Sequence, residues 1–506
     1  MPLQIEITPE FQKAIELINN SNQHLFITGN AGTGKSTLLD YCRRNCKKNM
    51  VILAPTGVAA LNVRGQTIHR FFNFPVNVSP EKIQNFQILP RTKRIYKQLQ
   101  TLVIDEVSML RADILDCIDS FLRLYGPNEE LSFGGVQLIL VGDLYQLPPV
   151  VSNAERTYFF QRYETPYFFS ANVFRHINLQ LIELTKIYRQ KDNNFINLLS
   201  RIRHNNASAD DLSLLNSRLH APLSDNNFCI TLTTTNQMAD KINHDKLSEI
   251  TSPEYKSHAV IDGSFKQEYY PTAEKLELKI GAQIMFLNND MKGRWVNGSL
   301  GLIEEIKVNS EKIRFLRIRL QDNQKLVDVF PYTWEIYKFS LLGKEIISEV
   351  AGSFIQFPLR LAWAVTIHKS QGKTFDHLHL DIGNGIFAAG QLYVALSRCT
   401  SFDGLSLEKP LSFRHILCDE RIVDFIHLLS GNVKLDNKNK IRLLQKAAFN
   451  HQKLEIIYQK NNGETSKRII IPTHIKGENV QAFCIHRQEQ RSFNINRINM
   501  LKTFVE

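Results

Sequence analysis

The chain has 506 residues, 43% hydrophobic and 10% aromatic, apolar enough to offset the ordering entropy of several packed domains, which excludes a disordered or fibrous protein. Its 61 lysines and arginines against 50 acidic residues leave +11, a surplus that suits a polyanionic partner. No stretch approaches the roughly 18 apolar residues of a membrane span. The seven scattered cysteines lack any CxxC, so reduced core thiols, no zinc site and a reducing, cytoplasmic compartment, with no signal peptide and no membrane partner, are expected.

In chain order, HLFITG, NMVILAPT, QTLVIDE and VQLILVGD are apolar on both faces and end in turns, as buried parallel strands of an α/β sheet do. They predict a first domain over 1–185. Residues 73–100, with Pro75, Pro80 and Pro90 ahead of the basic RTKRIYKQ, break the rhythm and are expected to be a small insertion. A second α/β domain, 186–410, contains CITLTTTNQMADKIN and resumes at RLAWAVTIHKSQG. Between these, over about 255–350, GAQIMFLNND, SLGLIEEIKV and KIRFLRIRL predict a small inserted β-barrel. Residues 411–440 read as a linker, and 441–506 as a compact tail of one helix and several strands. Residues 440–506 hold 12 lysines and arginines against 5 acidic residues, so most of the net charge is concentrated there.

GNAGTGKS, Gly29–Ser36, fits G-x-x-x-x-G-K-[ST] between a predicted strand and a predicted helix. Gly29, Asn30, Ala31, Gly32, Thr33, Gly34, Lys35, Ser36 and Thr37 form the expected phosphate cradle. Backbone N–H groups turn inward, Lys35 reaches the β and γ oxygens, and Ser36 can hold Mg²⁺. In LVIDEVSML, Asp105 and Glu106 end a buried strand, where Asp105 can hold Mg²⁺ and Glu106 can polarise the attacking water. In LILVGDLYQLPPV, Gln146 is placed to sense the γ-phosphate; Arg189 in LTKIYRQ and Arg398 in YVALSRCT are candidates to stabilise its charge from a second domain.

GNAGTGKST, APTGVAALNVRGQTIHRFF, VIDEVSML, GDLYQLPPV, LTTTN, AVTIHKSQGKTFD and QLYVALSR together resemble the ordered motifs of superfamily 1 DNA helicases, specifically the Pif-type branch of superfamily 1B related to RecD and Dda. The resemblance spans about residues 5–410. It implies two RecA-like domains with ATP and Mg²⁺ between them, a wedge at 73–100, an SH3-like fold for the 255–350 insertion, and 5′→3′ movement on single-stranded DNA. The implied partners are single-stranded, forked and 5′-tailed duplex DNA in replication, repair or recombination, with a free protein that is monomeric. By position it implies Gln12 at the adenine edge, and Thr56, Gly57, His69, Thr234, Asn236, Thr366, His368 and Lys369 on DNA. Phe72, with Phe71, is a candidate surface for base stacking.

The tail, with RIIIP at Arg468–Pro472 and the closing RSFNINRI, resembles a WYL-type, Sm-like module, though QAFCIHR stands where the name-giving Trp-Tyr-Leu would fall. Arg468, Arg487, Arg491 and Arg497 are its candidate nucleic-acid contacts. A nucleotide-gated DNA-binding regulator would share these motifs and differ in not separating strands. No clustered nuclease pattern is present outside the ATP motifs.

Overall fold

The computed structural model describes residues 6–75, 78–190, 192–222, 228–310, 313–321, 323–430, 437–449, 451–460 and 463–503. The four apolar runs of the first domain form the strands His24–Gly29, Met50–Ala54, Thr101–Ile104 and Gln137–Val141. Past their first residues all are buried, as a sheet covered on both faces requires. The sheet is parallel throughout, in the order Gln66–Thr67, Met50–Ala54, Thr101–Ile104, Gln137–Val141, His24–Gly29, Leu179–Leu184. A second parallel sheet runs Ala364–Thr366, Ile230–Thr233, Leu378–Asp381, Leu405–Leu407.

Within 73–100, Pro80 and Pro90 open the short helices Pro80–Ile83 and Pro90–Gln98, in the first turn, where a missing N–H costs no intrahelical bond. Phe74, Ile83, Tyr96 and Leu99 are buried in the first domain's core, which anchors the segment.

The three predicted strands of the insertion appear as Gln283–Phe286, Leu300–Val308 and Arg314–Leu320, extended antiparallel by Leu326–Val329 on one side and Leu359–Leu361 on the other. The expected limit at 350 falls inside the strand Glu345–Gln356, which forms a long hairpin with Tyr332–Leu342. That hairpin reaches the first domain. Phe339 meets Phe71 edge-on at 5.6 Å, and Asn49 Nδ2 donates to the Lys344 carbonyl at 2.9 Å.

The stretch expected as a linker, 411–440, contains the helix Glu420–Ser430. Its stripe of Ile422, Phe425, Ile426 and Leu429 has the spacing of an apolar helix face and packs on the first domain's core. Phe425 stacks on Phe169 at 4.5 Å and meets Phe168 edge-on at 5.6 Å, so this part of the segment is a docked helix and not a free spacer. Helix Asn437–Phe449 then packs on a five-stranded antiparallel sheet. The order is Glu489–Asn494, Asn479–Cys484, Thr465–Lys476, Leu454–Gln459, Ile498–Thr503. Among the described residues no helix is long and apolar enough to cross a membrane, and all seven cysteines are free thiols.

Candidate nucleotide site and nucleic-acid interface

The glycine-rich loop links the strand His24–Gly29 to the helix Lys35–Asn45. Gly32 and Gly34 sit at φ 83° and 87°, a region costly for residues with a Cβ. A Cβ on Gly32 would lie 2.5 Å from the Cβ of Arg189, so the loop also needs glycine to let the second domain approach. Lys35 Nζ donates to the carbonyls of Gly29 and Asn30 at 2.8 and 3.0 Å. Burial lowers its pKa, opposed by Asp143 and Glu106. Thr33 Oγ1 closes the loop on the Asn30 carbonyl at 3.0 Å, Ala31 is buried, and Ser36 and Thr37 are exposed in the helix's first turn.

Asp105 and Glu106 follow Thr101–Ile104, while Asp143 and Gln146 follow Gln137–Val141, the strand between it and His24–Gly29. The parallel order therefore sets the carboxylates and the loop along one carboxyl edge. Glu106 is held in the left-handed region at φ 50°, ψ 44°, a strain of about 1–3 kcal/mol that the surrounding fold maintains. Burial, with Glu106 adding to it, pushes Asp105 up to about 7. Burial also raises Glu106, against the pull of Lys35 and Arg398.

The second domain completes this cleft. Gln371 Nε2 donates to Glu106 Oε2 at 3.3 Å and to Gln146 Oε1 at 3.1 Å. Arg189 donates to the carbonyls of Ser397 and Gly372, both at 3.4 Å. Arg398, 1% exposed, donates to the Val394 carbonyl and to Ser397 Oγ, both at 2.9 Å. Burial and the neighbouring Arg189 push the Arg398 guanidinium down to about 9. A buried Arg398 with the half-buried Arg189 near enough to lower it electrostatically is suited to a multiply charged anion between them. Gln12 Nε2 bonds Glu16 on its own helix at 3.2 Å, one residue from Phe11, whose ring borders Gly34 together with that of Tyr188.

The candidate DNA contacts lie at the same edges of the two sheets. Thr56 caps the helix Gly57–Asn62 directly after Met50–Ala54, accepting from Ala59 N at 3.3 Å. Gly57 lies against Tyr269 of the insertion, whose ring a Cβ would meet at 2.7 Å. Because Ala364–Thr366 pairs with Ile230–Thr233, the loops carrying His368 and Lys369, and Thr234 and Asn236, are neighbours. Asn236, His368 and Lys369 are exposed and His69 is half-buried. Thr234 and Thr366 are buried; Thr366 Oγ1 accepts from Lys369 N at 3.3 Å, so it shapes the turn that presents His368 and Lys369.

Phe72 is not a stacking surface. It is fully buried, stacked on Phe74 at 5.2 Å and edge-on to Phe121 at 5.2 Å. Phe71 is also core, beside Tyr96 at 5.4 Å. On the tail, Arg487, Arg491 and Arg497 are exposed and Arg468 is half-buried, bonded to Ser466 Oγ at 3.1 Å.

Residues 4–212 match the family model described as PIF1-like helicase. The chain is 33% identical over 441 residues to the ATP-dependent DNA helicase Pif1 of Bdellovibrio bacteriovorus, covering 85% of this chain and 94% of that one. The chain belongs to the PIF1-like helicase family. Unliganded Pif1 from Bacteroides sp. is similar at 36% identity and a TM-score of 0.77, over 85% of this chain and 98% of that one. The Bacteroides Pif1 complex with ADP-AlF3 and ssDNA matches at 37% identity and a TM-score of 0.60, over 84% and 97%.

In this PIF1-like helicase, sequence reasoning missed three second-domain residues at the cleft: Gln371, Tyr393 and Arg203. Gln371 stands two residues beyond Lys369 in IHKSQG, and Tyr393 lies within QLYVALSR, so both motifs point to them. Arg203 ends an ordinary amphipathic helix, Asn193–Arg203, and carries no such local signal.

Proposed function

We infer that the chain is an ATP-dependent DNA helicase acting on single-stranded DNA. The observation that carries this is the cleft itself. Lys35, Glu106 and Gln146 come from one domain and Arg189, Gln371 and Arg398 from the other, in a chain whose relative over most of its length is an ATP-dependent DNA helicase. Such a site hydrolyses efficiently only while closed, so the ATP cycle alternates the relation between the two DNA-facing edges and moves the strand.

Finer assignments go with this reading. Asp105 and Ser36 would hold Mg²⁺, supported by two carboxyls, Asp105 and Glu106, that burial raises and a divalent cation would ionise. A bound divalent cation would supply neutralisation of the charge that develops on the phosphates. Gln12, Phe11 and Tyr188 border the base. Thr56, Gly57, His69, Asn236, His368 and Lys369 face the DNA backbone, with Thr234 and Thr366 shaping their loops. Movement is 5′→3′, the 73–100 segment acts as a wedge at forks and 5′-tailed duplexes, and the inserted sheet is SH3-like. The tail is a Sm-like, WYL-type module, supported by a last strand that pairs with the first behind an N-terminal helix. Arg487, Arg491 and Arg497 give it an exposed cationic face for single strands.

The test is ATP hydrolysis with and without single-stranded DNA. Stimulation by DNA, abolished in Lys35→Ala while DNA binding persists, is the expected result. Hydrolysis that survives Lys35→Ala would remove the loop from the mechanism.

A further inference from the structure

Arg203 and Asp143 form an ion pair across the cleft, Nη2 to Oδ1 at 2.9 Å, with side chains 4% and 0% exposed. Asp143 belongs to the first domain's GDLYQ loop. Arg203 ends the helix Asn193–Arg203, whose Phe195, Leu198 and Leu199 pack in the second domain's core. The guanidinium also lies over the ring of Tyr145 at 4.1 Å, and its Nη1 meets His204 Nε2 at 3.1 Å.

The second oxygen of Asp143 is engaged as well. It accepts from Gln146 Nε2 and from Tyr393 Oη, both at 3.4 Å. Tyr393 Oη in turn accepts from the backbone N–H of Ala31 in the phosphate loop at 3.2 Å. One buried carboxylate thus ties together the phosphate loop, the γ-phosphate glutamine and two helices of the opposite domain. Burial alone would raise the Asp143 pKa; the Arg203 and Lys35 cations hold it below the ordinary carboxylate range.

A buried pair of this kind adds little net stability, because desolvating two charges offsets their attraction. It is, however, strongly directional, and here each member comes from a different domain. Separating the domains would break it, and closing them remakes it together with the Gln371 bridge.

We propose that Arg203 is a positioning residue for ATP hydrolysis, supplied across the cleft to fix Asp143 and, through it, Gln146 and the phosphate loop. The proposal rests on the reading of the cleft as an ATPase site. Arg203 acts through Asp143 on groups that orient the attacked phosphate, so its loss slows turnover more than it weakens nucleotide binding.

The test is steady-state, DNA-stimulated ATP hydrolysis by full-length Arg203→Met and Arg203→Lys. Arg203→Met is expected to lose about 10–100-fold in kcat with KM for ATP within about threefold. Arg203→Lys, which keeps the cation, is expected to recover to within about tenfold of wild type. Arg203→Met leaves a lone buried charge, so the double variant Arg203→Met/Asp143→Asn is measured beside it. It is expected to melt close to wild type and to keep the kcat defect. Wild-type kcat in either folded variant, or a loss that Arg203→Lys does not reduce, would overturn the proposal alone. Absence of DNA-stimulated hydrolysis in the wild type would overturn the ATPase reading and this proposal with it.

Discussion

The side-chain amide of Gln371 donates to the carboxylate of Glu106 at 3.3 Å, joining the second domain to the acidic pair that follows the strand Thr101–Ile104. The same nitrogen reaches Gln146 at 3.1 Å. Gln371→Ala removes both bonds and leaves the phosphate loop intact. The expected outcome is a fall in kcat of about 10–100-fold with little change in KM for ATP, measured by DNA-stimulated hydrolysis.

Phe72 separates packing from binding. Its ring is enclosed by Phe74, Tyr96 and Phe121, so Phe72→Leu should cost about 1–2 kcal/mol of unfolding free energy in a denaturant titration, less than the about 3–5 kcal/mol of a Phe→Ala change. Affinity of the folded variant for single-stranded DNA should stay within about twofold. A stacked base would instead cost about 1–3 kcal/mol of binding, and a loss of that size would return Phe72 to the DNA path.

What the sequence makes legible is what is local. The strand-turn-helix around GNAGTGKS and the buried runs ending in Asp105 and Asp143 are written in contiguous residues, and their strands appear at 24–29, 101–104 and 137–141. What escapes is what depends on distant partners. The stretch holding Ile422, Phe425, Ile426 and Leu429 reads as a linker, and that these residues make one helix face closing on Phe168 and Phe169 is decided by the tertiary fold. Arg203 reads as a basic helix end until Asp143 is placed opposite it. Phe72 reads equally well as a stacking or a core side chain, because the same ring serves both; the aromatic packing around Phe121 decides.

The tail arginines make a salt-dependence prediction. Arg487, Arg491 and Arg497 are exposed, so replacing all three with Gln should leave melting unchanged. If each neutralises a phosphate, the slope of log affinity for single-stranded DNA against log salt should become shallower by about 2. An unchanged slope would take the tail off the DNA path.

His24 predicts part of the acid sensitivity. Its Nδ1 accepts from Leu138 N at 3.0 Å and its ring packs edge-on against Phe133 at 5.6 Å. Burial pushes it down to about 4, with Asp119 opposing. The folded state therefore favours the neutral ring, and its contribution is full above the unfolded value near 6.5 and lost as pH falls toward 4. That contribution amounts to at most about 3 kcal/mol. His24→Gln should show a correspondingly flatter loss of stability between pH 6.5 and 4 in denaturant titrations.

The central claim is that ATP hydrolysis in this cleft drives strand separation with one polarity. Its most direct test is unwinding, with ATP and Mg²⁺, of two partial duplexes that differ only in carrying a 5′ or a 3′ single-stranded tail. The account predicts unwinding of the 5′-tailed duplex alone, abolished in Glu106→Gln. Unwinding from the 3′ tail would contradict the polarity, and DNA-stimulated hydrolysis with neither duplex opened would contradict strand separation and leave a nucleotide-gated DNA-binding switch.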